Sequence, residues 1–420
     1  MHFIQFSGID YKQHQYDGVK WCSDNETAGL GGGFVADEMG LGKTLTMIGT
    51  CIANPKRHTL IVLPTILIDQ WQKEIKRTTG FSPLIFHGTQ KKIINLLQLQ
   101  SSYIVLCTYN GIQKPGLLHD VEWDRVIFDE AHHLRNRNSR HFGAKLLKTP
   151  VRWLISGTPI QNSIKDLFHM CSILGLPASY YMDHANLLDF QTKYVLRRVK
   201  RNVGIELPEL IIAEPCISWK TEEEKHLAIQ MHSDIKDSSC KLTSILRARQ
   251  VCIYPPLLPS LKTSCFSSKI DSVVELVMLR NNGNGKLIFC HFTAEIDIII
   301  SKLARVGITN VASFDGRVPQ GERANILSLQ YDVLILQIQT GCEGLNLQDK
   351  YSEIYFVSPH WNPSIEAQAI ARCHRMGQLK PVYVFKFKMD SFDEEEDSFD
   401  YRISERQDSK LLISSSIFTS

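Results

Sequence analysis

The stretch Asp37-Glu38-Met39-Gly40-Leu41-Gly42-Lys43-Thr44 constrains this chain more than any other. Ahead of it, the apolar run Phe34-Val35-Ala36 reads as a buried strand. Behind it, Leu45, Ile48 and Ile52 recur at the spacing of one helix face. The stretch therefore joins a strand to a helix N-terminus, where free backbone N–H groups and the helix dipole favour an anion. Gly40 and Gly42 let the backbone curl close to a phosphate. Lys43 is placed to reach the β- and γ-phosphates of a nucleotide, and Thr44 to offer a hydroxyl to Mg²⁺. The strict pattern wants glycine at position 37, where this chain has Asp37. Taken by itself the stretch also fits a glycine-containing turn before an ordinary helix.

A chain of 420 residues is too long for one ordinary core and implies two or three domains. Its 43% hydrophobic and 22% charged residues are those of a soluble globular protein. The net charge of +3 permits a nucleic-acid partner without demanding one, so any basic groove must be local. The eleven cysteines are scattered with no C-x-x-C pair, which argues against a zinc module and a disulfide framework and for a reducing compartment. No signal peptide opens the sequence and no apolar run reaches the length of a membrane span, so an intracellular protein without a membrane partner is expected.

In chain order, Gln15 lies upstream of the loop, where a glutamine can hydrogen-bond an adenine edge; alone it reads as a surface helix residue. Apolar strands then recur: Thr59 to Leu63 before Pro64-Thr65, Tyr103 to Tyr109, Arg125 to Phe128 before Asp129-Glu130-Ala131-His132, and Val151 to Ile155 before Ser156-Gly157-Thr158-Pro159. Strands alternating with helical stretches imply an open parallel sheet with ligands at the carboxyl ends of its strands. Asp129 at such an end can hold Mg²⁺ directly or through water, and Glu130 can orient and deprotonate an attacking water. In isolation the same pair also reads as a cap for the next helix.

Residues 160 to 262 read as mostly helical. They include the basic run Leu196-Arg197-Arg198-Val199-Lys200-Arg201, which by itself suits a solvated helix face. A second set of strands follows at Lys286 to Phe292, Val311 to Phe314, Asp332 to Ile338, Glu353 to Val357 and Val382 to Phe385. Arg372 and Arg375, three apart, would share one helix face, from which two guanidiniums can clamp a phosphoryl group. An exposed basic helix is the alternative. The fold class expected is α/β: two tandem parallel-sheet domains with a helical segment between them. The boundaries are 1–215, a helical connector 216–265, 266–390, and an acidic, serine-rich tail 391–420 without ordered structure.

Laid out together, these stretches resemble the Swi/Snf-type DNA-translocating ATPases of helicase superfamily two, from about Gln15 to about Phe387. The phosphate loop with Asp37, Asp129-Glu130-Ala131-His132, Ser156 to Asn162, Leu196-Arg197-Arg198, the segment Leu246 to Gln250, Gly344-Leu345-Asn346-Leu347, Trp361-Asn362-Pro363 and Gln368 to Gln378 all look like that family's motifs, in its order. The resemblance implies two tandem RecA-like domains, with ATP and Mg²⁺ as cofactors. It gives a nucleotide site from Gln15, Asp37, Glu38, Met39, Gly40, Leu41, Gly42, Lys43, Thr44, Gly344 and Gln368. Thr44 and Asp129 would serve Mg²⁺, and Lys43, Asp129, Glu130, Arg372 and Arg375 catalysis. Ser156 and Thr158 would couple hydrolysis to domain movement, and Pro64, Thr65, Thr108 and Thr340 would lie along DNA phosphates.

The chain departs from the family at Gln13, where proline is usual, and at Gln337-Ile338-Gln339-Thr340. It carries no RING-type, bromodomain, chromodomain or SANT-like module, so a bare motor on double-stranded DNA is expected, acting on nucleosomes or other DNA-bound proteins. Its place would be the nucleus or a viral replication site. An RNA helicase with the same engine, or a nucleotide-gated scaffold that does not hydrolyse, are the rival classes.

Overall fold

The computed structural model describes residues 11–158, 160, 163–237, 241–258, 267–341 and 345–418. They form two compact units: the first ends at Glu206, with the described residues from Leu412 onward grouped to it, and the second runs from Leu207 to Leu411.

The first unit is built on seven strands: β1 (Gly32–Val35), β2 (Thr59–Leu63), β3 (Leu84–Phe86), β4 (Ile104–Thr108), β5 (Arg125–Asp129), β6 (Arg152–Ile155) and β7 (Val195–Leu196). Their order is β3-β4-β2-β5-β6-β1-β7 and every pairing is parallel. Central strands such as β2, Thr59-Leu60-Ile61-Val62-Leu63, are buried at every residue because helices cover both faces, which is why they read as continuous apolar runs instead of alternating ones. The helix Ile68–Thr79 shows the complementary pattern. Its Ile68, Trp71, Ile75 and Thr78 face the core, Asp69 sits in its first turn, Lys76 and Arg77 sit in its last, and Gly80 caps it at φ 74°. Burial of Trp71 and Ile75 to 1% exposure or less is worth roughly 1.5–3 kcal/mol each.

The second unit holds β8 (Leu210–Ala213), β9 (Cys216–Ile217), β10 (Gly285–Cys290), β11 (Val311–Phe314), β12 (Val333–Gln337), β13 (Tyr351–Phe356), β14 (Val382–Lys386) and β15 (Lys388–Met389). Six of them make a parallel sheet in the order β11-β12-β10-β13-β14-β8, while β9 and β15 pair separately. Two parallel sheets, each with helices, form the tandem RecA-like α/β core.

The expected boundaries shift. Leu210–Ala213 pairs with β14, so the second unit begins near residue 207 and not after 215. The helices Glu222–Asp237 and Lys241–Ile253, expected as a connector, belong to this unit too. The tail is also not without structure: Phe399–Phe418 is helical. Phe399, Asp400, Ile403, Ser404 and Gln407 are buried at helical spacing. The Asp400 carboxylate pairs with the buried Lys269 ammonium and accepts the Met389 N–H at 2.9 Å. The acidic stretch Asp393 to Asp397 precedes this helix and hides its apolar stripe from a composition argument.

Candidate active site

The phosphate loop leaves β1 and enters the helix Lys43–Ala53. Gly40 and Gly42 stand at φ 89° and 84°, in the left-handed region that glycine occupies without strain. At Gly42 the space is also closed: a Cβ there would lie 2.3 Å from Gln15 Nε2. Lys43 Nζ donates to Asp37 O at 2.9 Å, lying back along the loop. Asp37, the departure from the strict pattern, is fully buried, and its carboxylate is held by the Arg198 guanidinium.

Gln15 is not a surface residue. It is 3% exposed; its Oε1 accepts the Lys12 N–H at 3.0 Å and its Nε2 donates to Leu41 O at 3.2 Å. The His14 ring bonds the same carbonyl at 2.9 Å. The helix Gln13–Thr27 thereby fixes the crown of the loop.

Asp129 ends β5 at 7% exposure. Its Oδ2 accepts the Trp71 indole N–H at 2.6 Å and its Oδ1 the Glu130 N–H at 2.9 Å. The Tyr109 hydroxyl donates to Asp129 O at 2.6 Å. Burial, then the Glu130 carboxylate, push the Asp129 pKa up to about 7, while the Lys43 charge pulls it down. Glu130 takes φ 51°, the one non-glycine residue with positive φ among those described. That strained turn swings its side chain to His132 Nδ1, 3.2 Å from Glu130 Oε2.

Ser156 and Gly157 follow β6. A Cβ on Gly157 would stand 3.2 Å from Lys43 Nζ and 2.9 Å from Met39 Cγ, so this strand end closes onto the lysine. The Thr158 N–H donates to Ser156 Oγ at 3.2 Å. Pro64 and Thr65 follow β2 and Thr108 ends β4; Leu63 and Thr108 are register partners, so these positions sit side by side, Thr65 exposed and Thr108 buried.

The donors suit a magnesium ion. Among the described residues no three His, Cys, Asp or Glu side chains cluster to share a metal. One desolvated carboxylate and one hydroxyl is a set that leaves most of an octahedron to water and phosphate oxygens, as Mg²⁺ prefers.

In the second unit Arg372 and Arg375 do not share a helix face. The helix Pro363–Ile370 ends before them, with Gly377 at φ 95° soon after. The Gln378 amide donates to Gln348 O at 3.0 Å and Tyr351 O at 3.0 Å, and the His374 ring bonds Pro208 O at 2.8 Å; together they hold the chain in a turn. Both arginines still converge on one segment: Arg372 Nη1 donates to Leu345 O at 3.5 Å, and Arg375 Nη1 to the Asn346 side chain. Gln368 is 2% exposed, and its buried amide Nε2 has no hydrogen-bond partner among the described residues. Thr340 lies in the short helix Ile338–Gly341, and Gly344 lies outside the described residues. Sequence reasoning names Arg198 within the Leu196-Arg197-Arg198 motif but gives it no role, and gives Trp71 none either, since the partners, Asp37 and Asp129, are distant in the chain.

A phosphate loop, an acidic strand-end pair beside its lysine and a second parallel-sheet unit with paired arginines define a helicase-like ATP hydrolase. Within that class the chain belongs to the SNF2-related family: the SNF2-related domain matches residues 14–252, and the helicase conserved C-terminal domain matches 268–377. A probable global transactivator of Orgyia pseudotsugata multicapsid polyhedrosis virus is 29% identical, over 97% of this chain and 91% of its own. The zebrafish chromodomain-helicase-DNA-binding protein 1-like is 27% identical over 90% of this chain and 41% of its own. The Arabidopsis thaliana ATP-dependent DNA helicase DDM1 is 26% identical, over 97% and 62%. This chain thus spans most of the viral relative and a fraction of the others. Among solved structures, the Sulfolobus solfataricus SWI2/SNF2 ATPase core in complex with dsDNA is 23% identical, over 98% of this chain and 95% of that one, with a TM-score of 0.44. No described helix is long and apolar enough to cross a membrane.

Proposed function

We propose that this SNF2-family ATPase translocates along double-stranded DNA and displaces or remodels proteins bound there. The observation that carries the reading is the convergence of Lys43, Asp129-Glu130 and Ser156-Gly157 at the carboxyl edge of one sheet, with Pro64-Thr65 and Thr108 on neighbouring strand ends. Nucleotide chemistry and a row of strand-end positions suited to backbone phosphates then belong to the same rigid sheet. Relatives whose names include a chromodomain-helicase-DNA-binding protein and an ATP-dependent DNA helicase favour DNA over RNA as the track.

In this reading the helix N-terminus and the loop N–H groups hold the β- and γ-phosphates, with Lys43 leaving the Asp37 carbonyl to join them. Thr44 and Asp129 would hold Mg²⁺, which would supply positive charge to neutralise the phosphates. Glu130 orients the attacking water and accepts its proton, with His132 steadying the carboxylate. Gln15 offers the adenine edge its remaining amide N–H, the other being used on Leu41. Arg372 and Arg375 act on the transferring phosphoryl group, where arginines of this kind are worth about 10³–10⁵ in rate. Ser156 and Thr158 relay hydrolysis to domain movement. DNA affinity comes from phosphate contacts and falls steeply with salt.

The test is steady-state ATP hydrolysis alone and with duplex DNA, single-stranded DNA or RNA, at low and moderate salt. Strong stimulation by duplex DNA that is lost in Glu130→Gln supports the translocase. Stimulation by RNA alone assigns the chain to the RNA helicases.

A further inference from the structure

Asp37 stands where the strict phosphate loop has glycine, and its carboxylate is completely removed from water. Such a charge persists only if it is paired and hydrogen-bonded. The partner is Arg198. Its backbone N–H and its Nε both donate to Asp37 Oδ1 at 3.0 Å, and its Nη2 pairs with Oδ2. Its remaining terminal nitrogen, Nη1, donates to the His14 carbonyl of the helix Gln13–Thr27. A Cβ on Gly18 would come within 2.8 Å of Nη2, so a glycine on that helix makes room for the guanidinium.

The backbone continues the same connection. The Ala36 N–H donates to Leu196 O and the Glu38 N–H to Arg198 O, both at 2.8 Å, which extends the β1–β7 pairing into the phosphate loop. Lys200 brackets the next residue: its N–H meets Glu38 Oε2 at 2.8 Å and its Nζ lies 3.3 Å from Oε1. Loop residues 36–38 are therefore a ribbon laid on residues 196–200, the last stretch of the first unit before residue 207.

A purely architectural ion pair would explain the burial alone. It would not explain why the residue gripped by Arg198 is also the one whose carbonyl receives Lys43 Nζ at 2.9 Å. From these contacts we infer that Arg198 is a positioning residue for the nucleotide. Through Asp37 it sets the place from which Lys43 reaches the phosphates, replacing the conformational freedom of a glycine with an external clamp. The inference rests on the loop Asp37–Thr44 being the phosphate cradle.

The experiment measures ATP affinity without DNA, and KM and kcat with DNA, for Arg198→Lys, Asp37→Asn and the double variant, with thermal melting as a control. Lysine keeps the charge but cannot grip both Asp37 oxygens and the His14 carbonyl. Each single variant is expected to raise Kd and KM for ATP about tenfold, with kcat at saturating ATP within about threefold of the parent. The double variant should be no worse than the poorer single one. Arg198→Ala, if it folds, should raise KM further. A folded Arg198→Lys and Asp37→Asn with parental KM would overturn the inference, and so would effects that multiply in the double variant. Lys43→Ala separates the two levels. If it binds ATP normally, the cradle assignment itself fails; if it loses ATP while Arg198→Lys does not, only the role of Arg198 fails.

Discussion

The indole N–H of Trp71 donates to Asp129 Oδ2 at 2.6 Å, joining residues 58 apart in sequence inside the first unit. Trp71 is 1% exposed on the helix Ile68–Thr79, so the strand-end carboxylate is oriented by a core residue. Groups that orient a metal's carboxylate ligand typically change metal affinity about 10–100-fold when lost. Trp71→Phe keeps most of the packing and removes the donor. The Mg²⁺ concentration for half-maximal ATPase should rise by about that factor, with a smaller fall in the rate at saturating Mg²⁺. An unchanged Mg²⁺ dependence would remove Trp71 from the site.

Arg375 lies in a turn and reaches the Asn346 side chain, next to the Leu345 carbonyl that Arg372 bonds. Arg375→Ala should lower kcat by about 10³–10⁵ while ATP binding, read by a fluorescent analogue, stays within a few-fold. Near-parental turnover would contradict the proposed clamp on the phosphoryl group.

Glu295 gives a pH test of the second unit. It is fully buried; its Oε2 accepts the His291 N–H at 2.8 Å and the Phe292 N–H at 3.1 Å, and its side chain also meets the buried Cys290 thiol. Burial, opposed by these backbone N–H groups, pushes its pKa up to about 7. The folded form then holds a proton more tightly than the unfolded chain, whose glutamates titrate near ~4.3. Its contribution to stability is therefore full below ~4.3 and is lost as pH rises towards about 7, a change on the order of 3–4 kcal/mol. Glu295→Gln should flatten that dependence and be the more stable form at pH 8. Parallel pH profiles for the two proteins, by denaturant unfolding, would contradict this.

Glu26 anchors the far side of the first sheet. Its carboxylate takes Arg125 Nε at 2.7 Å, Trp153 Nε1 at 2.8 Å and Asn54 Nδ2 at 2.7 Å, with the Arg125 and Glu26 side chains wholly buried. Glu26→Ala leaves that guanidinium uncompensated and should cost about 3–5 kcal/mol. A drop below about 1 kcal/mol would show that water reaches the arginine.

Features written in local spacing were legible in the sequence. The strand runs around Val62, Leu106 and Phe128, the Gly40-Gly42-Lys43 loop and the acidic end at Asp129 need only neighbours to be recognised. Features made by distant pairing were not. Arg198 reads as part of a basic helix face, or as one residue of the Leu196-Arg197-Arg198 motif, and nothing nearby announces Asp37, the partner it meets from just past β7. The spacing of Arg372 and Arg375 predicts a shared helix face, but spacing alone does not reveal that the Gln378 amide and the His374 ring hold a turn there. The helix Phe399–Phe418 carried a stripe at Phe399, Ile403 and Gln407, masked by the acidic residues ahead of it.

The central claim is movement along duplex DNA, and displacement of a third strand from a DNA triplex tests it most directly. With ATP and Mg²⁺, the protein should release the third strand from duplex carrying a flanking track, and Glu130→Gln should bind that duplex without releasing it. Hydrolysis stimulated by duplex DNA with no release above the Glu130→Gln level would contradict the account and leave a DNA-dependent ATPase that does not translocate.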